Sequence, residues 1–363
     1  MVDNKIFVSA GDLSGDIHAS NLVKEIKKIN PLYYISAVGG VNLKLVSDKF
    51  LDNIVSINAF GFFPIKQFLY LKKVLRKLED HFIGEHPGKI ILVDYYGFNI
   101  FVARLAKKLR IPVYYYISPQ VWASRSGRIK ELAKTVKKML VILPFEEKLY
   151  KDNNVDAIFV GNPLIDSVPE RQSFPKQSFG SFNPPTIGLF PGSRKNVIKR
   201  HIPLILKTAK ILKFKLDAKF IMFSASEEFT FQLPEYIELC KSGDFERRRS
   251  IDFAICPSGT VSLENTLMGV PMVVIYKLSY FNYFFIRAVI KVKYITLVNI
   301  LSDKNIVPEF VQTNAKPKKI VSSVLEQLEF ENYTHKVKEL NTFRKMLGTP
   351  GVNRRVAEII LFE

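Results

Sequence analysis

The chain has 363 residues, a length of about two domains. With 47% hydrophobic residues it has enough for substantial cores, which excludes a disordered or fibrous chain. The net charge of +19 points to anionic partners (nucleic acid, phosphorylated metabolites or an acidic membrane) unless it only solvates the surface.

No zinc-finger, RNA-binding or basic-zipper signature is present, so nucleic acid is set aside as a partner. The two cysteines, Cys240 and Cys256, form neither a disulfide framework nor a zinc spacing, and a reducing compartment fits. The start, "MVDNKIFVSAGD", has no basic region followed by an apolar stretch, so no cleaved signal peptide is expected.

In chain order, "KIFVSA" reads as a strand, "GDLSGD" as a glycine turn and "IHASNLVKEIKKI" as a helix. The runs "YYISAVGG", "KIILVDYY", "VYYYIS", "KMLVIL" and "AIFVG" follow as strands, several of them separated by polar helical stretches. This alternation predicts βα units on a parallel sheet covered on both faces. Then "SVPERQSFPKQSFGSFNPP" reads as a linker.

The pattern restarts with strand "TIGLF", loop "PGSRKN", helix "VIKRHIPLILKTAKIL", strands "AKFIMFS" and "DFAICP", loop "SGT", helix "VSLENTLMG" and strand "VPMVVIY". The expectation is an α/β protein of two Rossmann-like domains facing each other across a cleft, with ligands at the carboxyl ends of the strands. The expected division is 1–166, a linker 167–185, 186–345, and a final helix in 346–363 that packs back on the first domain.

The most apolar stretches are "NAFGFFPIKQFLYLKKVLRK" and "YFNYFFIRAVIKVKYI". Lys66, Arg287, Lys291 and Lys293 interrupt them, so neither offers the ~20 apolar residues of a spanning helix. Their mixture of Phe and Tyr with Lys and Arg fits a surface lying in a membrane interface, or a core helix and strand with solvated edges.

The loop "PSGTVSLE", residues 257–264, ends a strand and starts a helix. Gly259 allows close backbone approach, and Ser258 or Thr260 can open the helix. Free N–H groups and the helix dipole then favour a diphosphate, with Glu264 one turn on for ribose hydroxyls. An ordinary N-cap is the alternative. The turn "FPGSRKN" adds Arg194, which can grip phosphate oxygens bidentately. Neither is a Walker loop. The first loop, "AGDLSGD", carries Asp12 and Asp16 and suits a sugar or hydroxyl ligand. His81 and His86 read as a solvated helix end and turn, Trp122 as a packing anchor, and "ERRR" at 246–249 as a solvent-facing patch.

The motifs "AGDLSGD", "YYISPQVWASRSGRIK", "ILPFE", "FVGNPLID", "PGSR", "SGTVSLENTLMGVPMVVIYK", "LVNILSDKNIVPEFVQ" and "LGTPGVNRRVAE" span nearly the whole chain. In this order they resemble the lipid-A-disaccharide synthase family. The resemblance implies an inverting, metal-independent glycosyltransferase of GT-B fold, needing no cofactor. Its substrates would be UDP-diacylglucosamine and the phosphorylated lipid acceptor diacylglucosamine 1-phosphate. It also implies a cytoplasmic protein peripheral to the anionic inner-membrane surface, and it is compatible with a homodimer.

By the same resemblance, Gly192, Ser193 and Arg194 with Ser258, Gly259, Thr260 and Ser262 would hold the diphosphate. Glu264 would take the ribose, and Asn299 and Glu309 would complete the donor pocket. Ser14, Gly15, Phe60, Gly61, Phe62, Asn99 and Gln120 would face the acceptor or its acyl chains.

Several positions depart from the family pattern. Where it reads D-x-x-D-F-N, this chain has Asp94-Tyr95-Tyr96-Gly97-Phe98-Asn99, without the second acid. Asp12 replaces a Glu, Asn162 a His, and Pro64 and Val197 two further Glu residues. A transfer that inverts needs a carboxylate or His near the acceptor hydroxyl. Asp94 is the best available base, with Asp12, Asp16 and His18 as alternatives. Asp94 could equally be a strand-end acid capping backbone amides. Two other functions stay open at this point: a UDP-sugar transferase or epimerase with another acceptor, and a catalytically silent UDP-sugar or lipid-phosphate binder.

Overall fold

A computed structural model describes residues 4–55, 64–124, 126–171, 179, 183–193, 195–224, 232–278 and 293–363. The chain divides into two compact units, one of residues 1–166 with 347–363 and one of residues 167–346.

In the first unit, β1 (Lys5–Ala10), β2 (Tyr34–Gly39), β3 (Lys49–Asn53), β4 (Lys89–Val93), β5 (Val113–Tyr116), β6 (Lys138–Val141) and β7 (Ala157–Phe159) form a parallel sheet. Its order is β3-β2-β1-β4-β5-β6-β7. Successive residues of the central strands point to opposite faces, and both faces are covered, which is why these strands read as unbroken apolar runs. One face buries Phe7, Leu92 and Tyr115 against Val74, Leu78 and Phe82 of the helix Pro64–Glu85 and Phe98 and Val102 of the helix Tyr96–Lys108. The other buries Val8, Ile91 and Tyr116 against Leu22 and Ile26 of the helix Leu13–Ile29 and Val356 and Ile360 of the helix Val352–Phe362.

That last helix is fastened at its start. Asp166 accepts the N–H groups of Gly351, Val352 and Asn353 at 2.7, 3.2 and 3.1 Å, three donors that a helix start leaves without intrahelical partners. The motifs "GNPLID" and "TPGVNRR" meet here.

In the second unit, β8 (Thr186–Leu189), β9 (Lys219–Ser224), β10 (Ile237–Lys241), β11 (Phe253–Pro257), β12 (Met272–Tyr276) and β13 (Glu309–Val311) form a parallel sheet of order β10-β9-β8-β11-β12-β13. The helix Lys195–Leu216 lays Ile198, Ile202, Ile205, Ala209 and Leu212 on it at helical spacing. Arg171, inside the stretch that reads as a polar linker, is buried and donates to Asp252 at 2.7 Å.

Strands β3, β10 and β13 carry no apolar run and were not expected from the sequence. Each is an edge strand. With one flank unpaired and partly exposed residues, such strands lose the hydrophobic signal that marks central ones.

Candidate active site

In each sheet the chain crosses from the first strand to opposite sides, leaving a switch point beside it, where α/β sheets bind ligands. In the second unit this point lies between β8 and β11. A cavity of ≈ 260 Å³ opens there, lined by Gly192, Ser193, Ser258, Gly259 and Thr260 together with the rings of Phe190 and Phe223. Those rings stack with centroids 4.9 Å apart. The two glycine turns singled out from the sequence therefore share one cavity. Arg194 lies outside the described residues.

Gly259 has φ 140° and ψ −156°, a conformation essentially closed to other residues. It caps the helix Thr260–Leu267, whose opening residues Thr260 and Val261 line the cavity. Ser262 faces inward instead: its hydroxyl donates to the Gly259 carbonyl at 2.7 Å and accepts the Gly259 N–H at 3.3 Å. It holds the turn in shape. Ser258 Oγ donates to the Ile295 carbonyl at 2.6 Å.

Glu264, Asn299 and Glu309 are absent from the lining of this cavity. Glu309 accepts the N–H groups of Ile295 and Thr296, the Thr296 hydroxyl and the Asn299 amide, all at 2.7–2.9 Å. Asn299 is fully buried and also donates to the Val307 carbonyl at 2.7 Å. The pair fastens residues 295–299, whose Ile295 carbonyl orients Ser258. Glu309→Ala leaves several of these donors without an acceptor, at about 1–3 kcal/mol each where they stay dry. Thermal melting of this variant is expected to show the lost stability.

His201 is also fully buried. Its Nε2 accepts the Lys277 N–H at 3.0 Å, so Nδ1 carries the proton and donates to the Pro191 carbonyl at 3.1 Å. Burial pushes the imidazole down to about 4, which keeps it neutral. It ties the "PGSR" turn to the end of β12.

The expectation for "ERRR" is corrected at Arg248, which is completely buried rather than solvent-facing. Its Nη1 donates to Glu264 Oε2 at 2.7 Å and its Nη2 to Asn265 Oδ1 at 2.7 Å. A charged run in a sequence does not reveal which member turns inward.

In the first unit the switch point lies between β1 and β4, and it brings Asp12 and Asp94 together. Asp12 caps the helix Leu13–Ile29 by accepting the Gly15 N–H at 2.7 Å. Gly11 is required here because a Cβ would lie 1.9 Å from the Tyr95 ring. Asp94 and Tyr95 take φ of 47° and 43°, left-handed conformations that non-glycine residues seldom adopt. They hold because the Asp94 carbonyl accepts both the Tyr115 hydroxyl at 2.6 Å and the Asn99 amide at 2.9 Å. The Asp94 side chain is half-buried. Burial, and then the charge of Asp12, push its carboxyl up to about 6.

Asn99 is consequently a scaffold residue and not an acceptor contact: it is buried, and its Oδ1 accepts from Ser9 Oγ at 2.7 Å. Asp16 is removed as a base. Its carboxylate is buried and accepts the N–H groups of Gly40, Asn42 and Leu43 at 2.7, 2.9 and 3.1 Å, capping the helix Val41–Val46. Burial pushes His18 down to about 4, leaving it neutral and weakly basic. Ser14 and Gln120 are exposed, and Gly15 is buried under the cap. Gly97 faces open space. Phe60, Gly61 and Phe62 lie outside the described residues, as does most of "YFNYFFIRAVIKVKYI". His81 departs from the solvated reading, being buried with Nε2 2.9 Å from Ser36 Oγ.

One feature of this unit had no signal in the sequence beyond the motifs "ILPFE" and "ISPQVWA". Glu146 is buried and accepts from Ser118 Oγ at 2.8 Å, Trp122 Nε1 at 3.2 Å and the Leu143 N–H at 3.3 Å. Burial pushes its carboxyl up to about 7. It joins the two motifs, with Trp122 packed edge-on against Phe145. Among the described residues no group of three His, Cys, Asp or Glu could hold a metal ion, and no helix is long and apolar enough to cross a membrane.

The chain matches the family model "Lipid-A-disaccharide synthetase" over residues 6–359. It is 35% identical to the lipid-A-disaccharide synthase of Syntrophus aciditrophicus, covering 98% of this chain and 97% of that protein. It is 34% identical to that of Geobacter metallireducens, covering 99% and 97%. Among solved structures, UDP-GlcNAc 2-epimerase from Neisseria meningitidis bound to UDP-GlcNAc superposes with a TM-score of 0.65 at 12% identity, covering 99% of this chain and all of that one. That similarity is one of fold, and GT-B glycosyltransferases share it. Gly97 and the other departures from the family pattern do not alter the assignment: the chain belongs to the lipid-A-disaccharide synthetase family, glycosyltransferases of GT-B fold that serve lipid A biosynthesis.

Proposed function

We propose that the second unit binds a UDP-sugar and the first takes the lipid acceptor and its proton. Diacylglucosamine then passes from UDP to diacylglucosamine 1-phosphate with release of UDP. The observation that supports this most is the pair of glycine turns, at Gly192 and Gly259, lining one cavity at the β8/β11 switch point. Amides and dipole at the start of a helix favour the diphosphate. Arg194 adds a bidentate charge, and Glu264 takes the ribose.

Asp94 is the base in this reading. Its carboxylate takes the proton as the acceptor oxygen bonds to the anomeric carbon. The bond from that carbon to the phosphate oxygen breaks, and its electron pair leaves with UDP. Attack opposite the leaving group inverts the anomeric centre. A carboxyl near 6 is mostly ionised at neutral pH yet more basic than an ordinary aspartate, which suits a general base. Asp12 contributes by raising it.

Purified protein given both lipids is expected to release UDP. Arg194→Ala is expected to weaken UDP binding about 10–100-fold, the value of a charged hydrogen-bonded contact. No UDP release by the unaltered protein, or unchanged UDP affinity in the variant, ends this reading.

We also propose that the protein works as a peripheral protein at the cytoplasmic face of the inner membrane. The net charge of +19 and the exposed Phe68 and Leu69 on the helix Pro64–Glu85 support this. Each Lys or Arg near an anionic leaflet adds about 1 kcal/mol. Co-sedimentation with anionic vesicles is expected, falling as salt rises; no sedimentation at low salt opposes it.

A further inference from the structure

Glu264 keeps 16% of its side chain exposed, and its Oε2 is held by a completely buried guanidinium, that of Arg248. Arg248 is enclosed by aromatic rings: its guanidinium carbon lies 5.2 Å from the centroid of Phe190 and 4.9 Å from that of Phe245. Phe190 is itself a wall of the nucleotide cavity. The Nη2 group is anchored separately on Asn265, so the fork cannot rotate without breaking a second bond. Its Nε has no hydrogen-bond partner among the described residues.

Burying an ion pair seldom maximises stability, and leaving one of its donors unpaired costs more. Such an arrangement does fix direction. With Oε2 committed to Arg248, Oε1 takes no protein donor among the described residues. A guanidinium fixed at two acceptors, Glu264 Oε2 and Asn265 Oδ1, presents its donor in one direction, which a freely rotating ammonium cannot do.

We propose that Arg248 is a positioning residue for nucleotide recognition. It holds Glu264 in the orientation that leaves Oε1 for ribose hydroxyls, and its own guanidinium packs against Phe190 of the cavity wall. This rests on the donor reading of Glu264 given above, and the experiment separates the two.

Calorimetric titrations would compare UDP with 2′,3′-dideoxy-UDP, which lacks the hydroxyls, for the unaltered protein, Glu264→Gln, Arg248→Met, Arg248→Lys and the Arg248→Met/Glu264→Gln pair. The unaltered protein is expected to prefer UDP by about tenfold or more. Arg248→Met should lose most of that preference through weaker UDP binding, with dideoxy-UDP affinity held within about twofold. In the Glu264→Gln background it should change nothing further. If Arg248→Met does not fold, Arg248→Lys carries the same test, since an ammonium cannot hold both acceptors in the fork geometry. The paired replacement removes both charges and guards against a merely unpaired buried ion.

Equal weakening of both nucleotides in the arginine variants would make Arg248 only structural, and an unchanged preference would remove it from recognition; either overturns the proposal. A Glu264→Gln variant that keeps the full preference overturns the ribose reading itself, and this proposal with it.

Discussion

Asp94→Asn is expected to lower turnover about 10²–10⁴-fold, the usual contribution of a general base, while making the protein more stable at pH 8. The carboxyl is pushed up to about 6 in the folded chain by burial and by Asp12, against about 3.9 when unfolded. The native state therefore holds this proton more tightly than the unfolded state does. Stability falls as pH rises between those two values, and the whole deficit is present above about pH 6.

At about 1.4 kcal/mol per unit, the deficit is on the order of 3 kcal/mol. Asparagine cannot ionise, and it is one of the few residues at ease at φ 47°. The gain should appear in melts at pH 8 and vanish below about pH 4. The acid limb of kcat/KM near pH 6 should belong to Asp94, and Asp12→Asn should move it to lower pH. Retained turnover in Asp94→Asn removes it as the base. Lower stability at pH 8 removes the charge penalty.

His201→Phe is expected to destabilise the second unit and weaken UDP binding at once. The imidazole satisfies two buried backbone groups, the Pro191 carbonyl and the Lys277 N–H. Phenylalanine fills similar space but leaves both unpaired, at about 1–3 kcal/mol each. The Pro191 carbonyl immediately precedes the Gly192–Ser193 turn that lines the cavity, so loosening it moves that wall of the proposed UDP site.

The pH dependence carries a second signature. The folded imidazole sits at about 4 because burial disfavours its charged form, whereas an unfolded histidine lies at about 6.5. As pH falls through that interval the unfolded state takes up the proton first, so the natural chain loses stability there. The variant lacks that slope, and the two stability curves should converge on acidification. Parallel curves, or a variant with unchanged melting and UDP affinity, would rule out the strap.

The sequence made the architecture legible wherever strands are central. Runs such as "KIFVSA" and "KIILVDYY" are apolar at every position because both faces of their sheets are covered. Edge strands β3, β10 and β13 escaped because half-exposed positions carry no such run. The glycine turns at 192 and 259 were visible for a local reason, since a strand, a glycine and a helix start are consecutive in the chain. Asp94 was legible as a place but not as a chemical state.

The two α/β units, the family and the turns that line the cavity could all be read from the amino-acid order, because these depend on short-range pattern. Which polar side chains hold the frame became visible in the folded chain alone. Asp16, Asn99, Ser262, Asn299 and Glu309 have the same chemistry as residues that bind substrate, yet their donors and acceptors are taken by backbone groups brought near in folding. Arg248 and His201 gain their roles from partners that are 16 and 76 residues away in the chain. A hydrogen bond is set by distance in space, and spacing along a chain does not encode it.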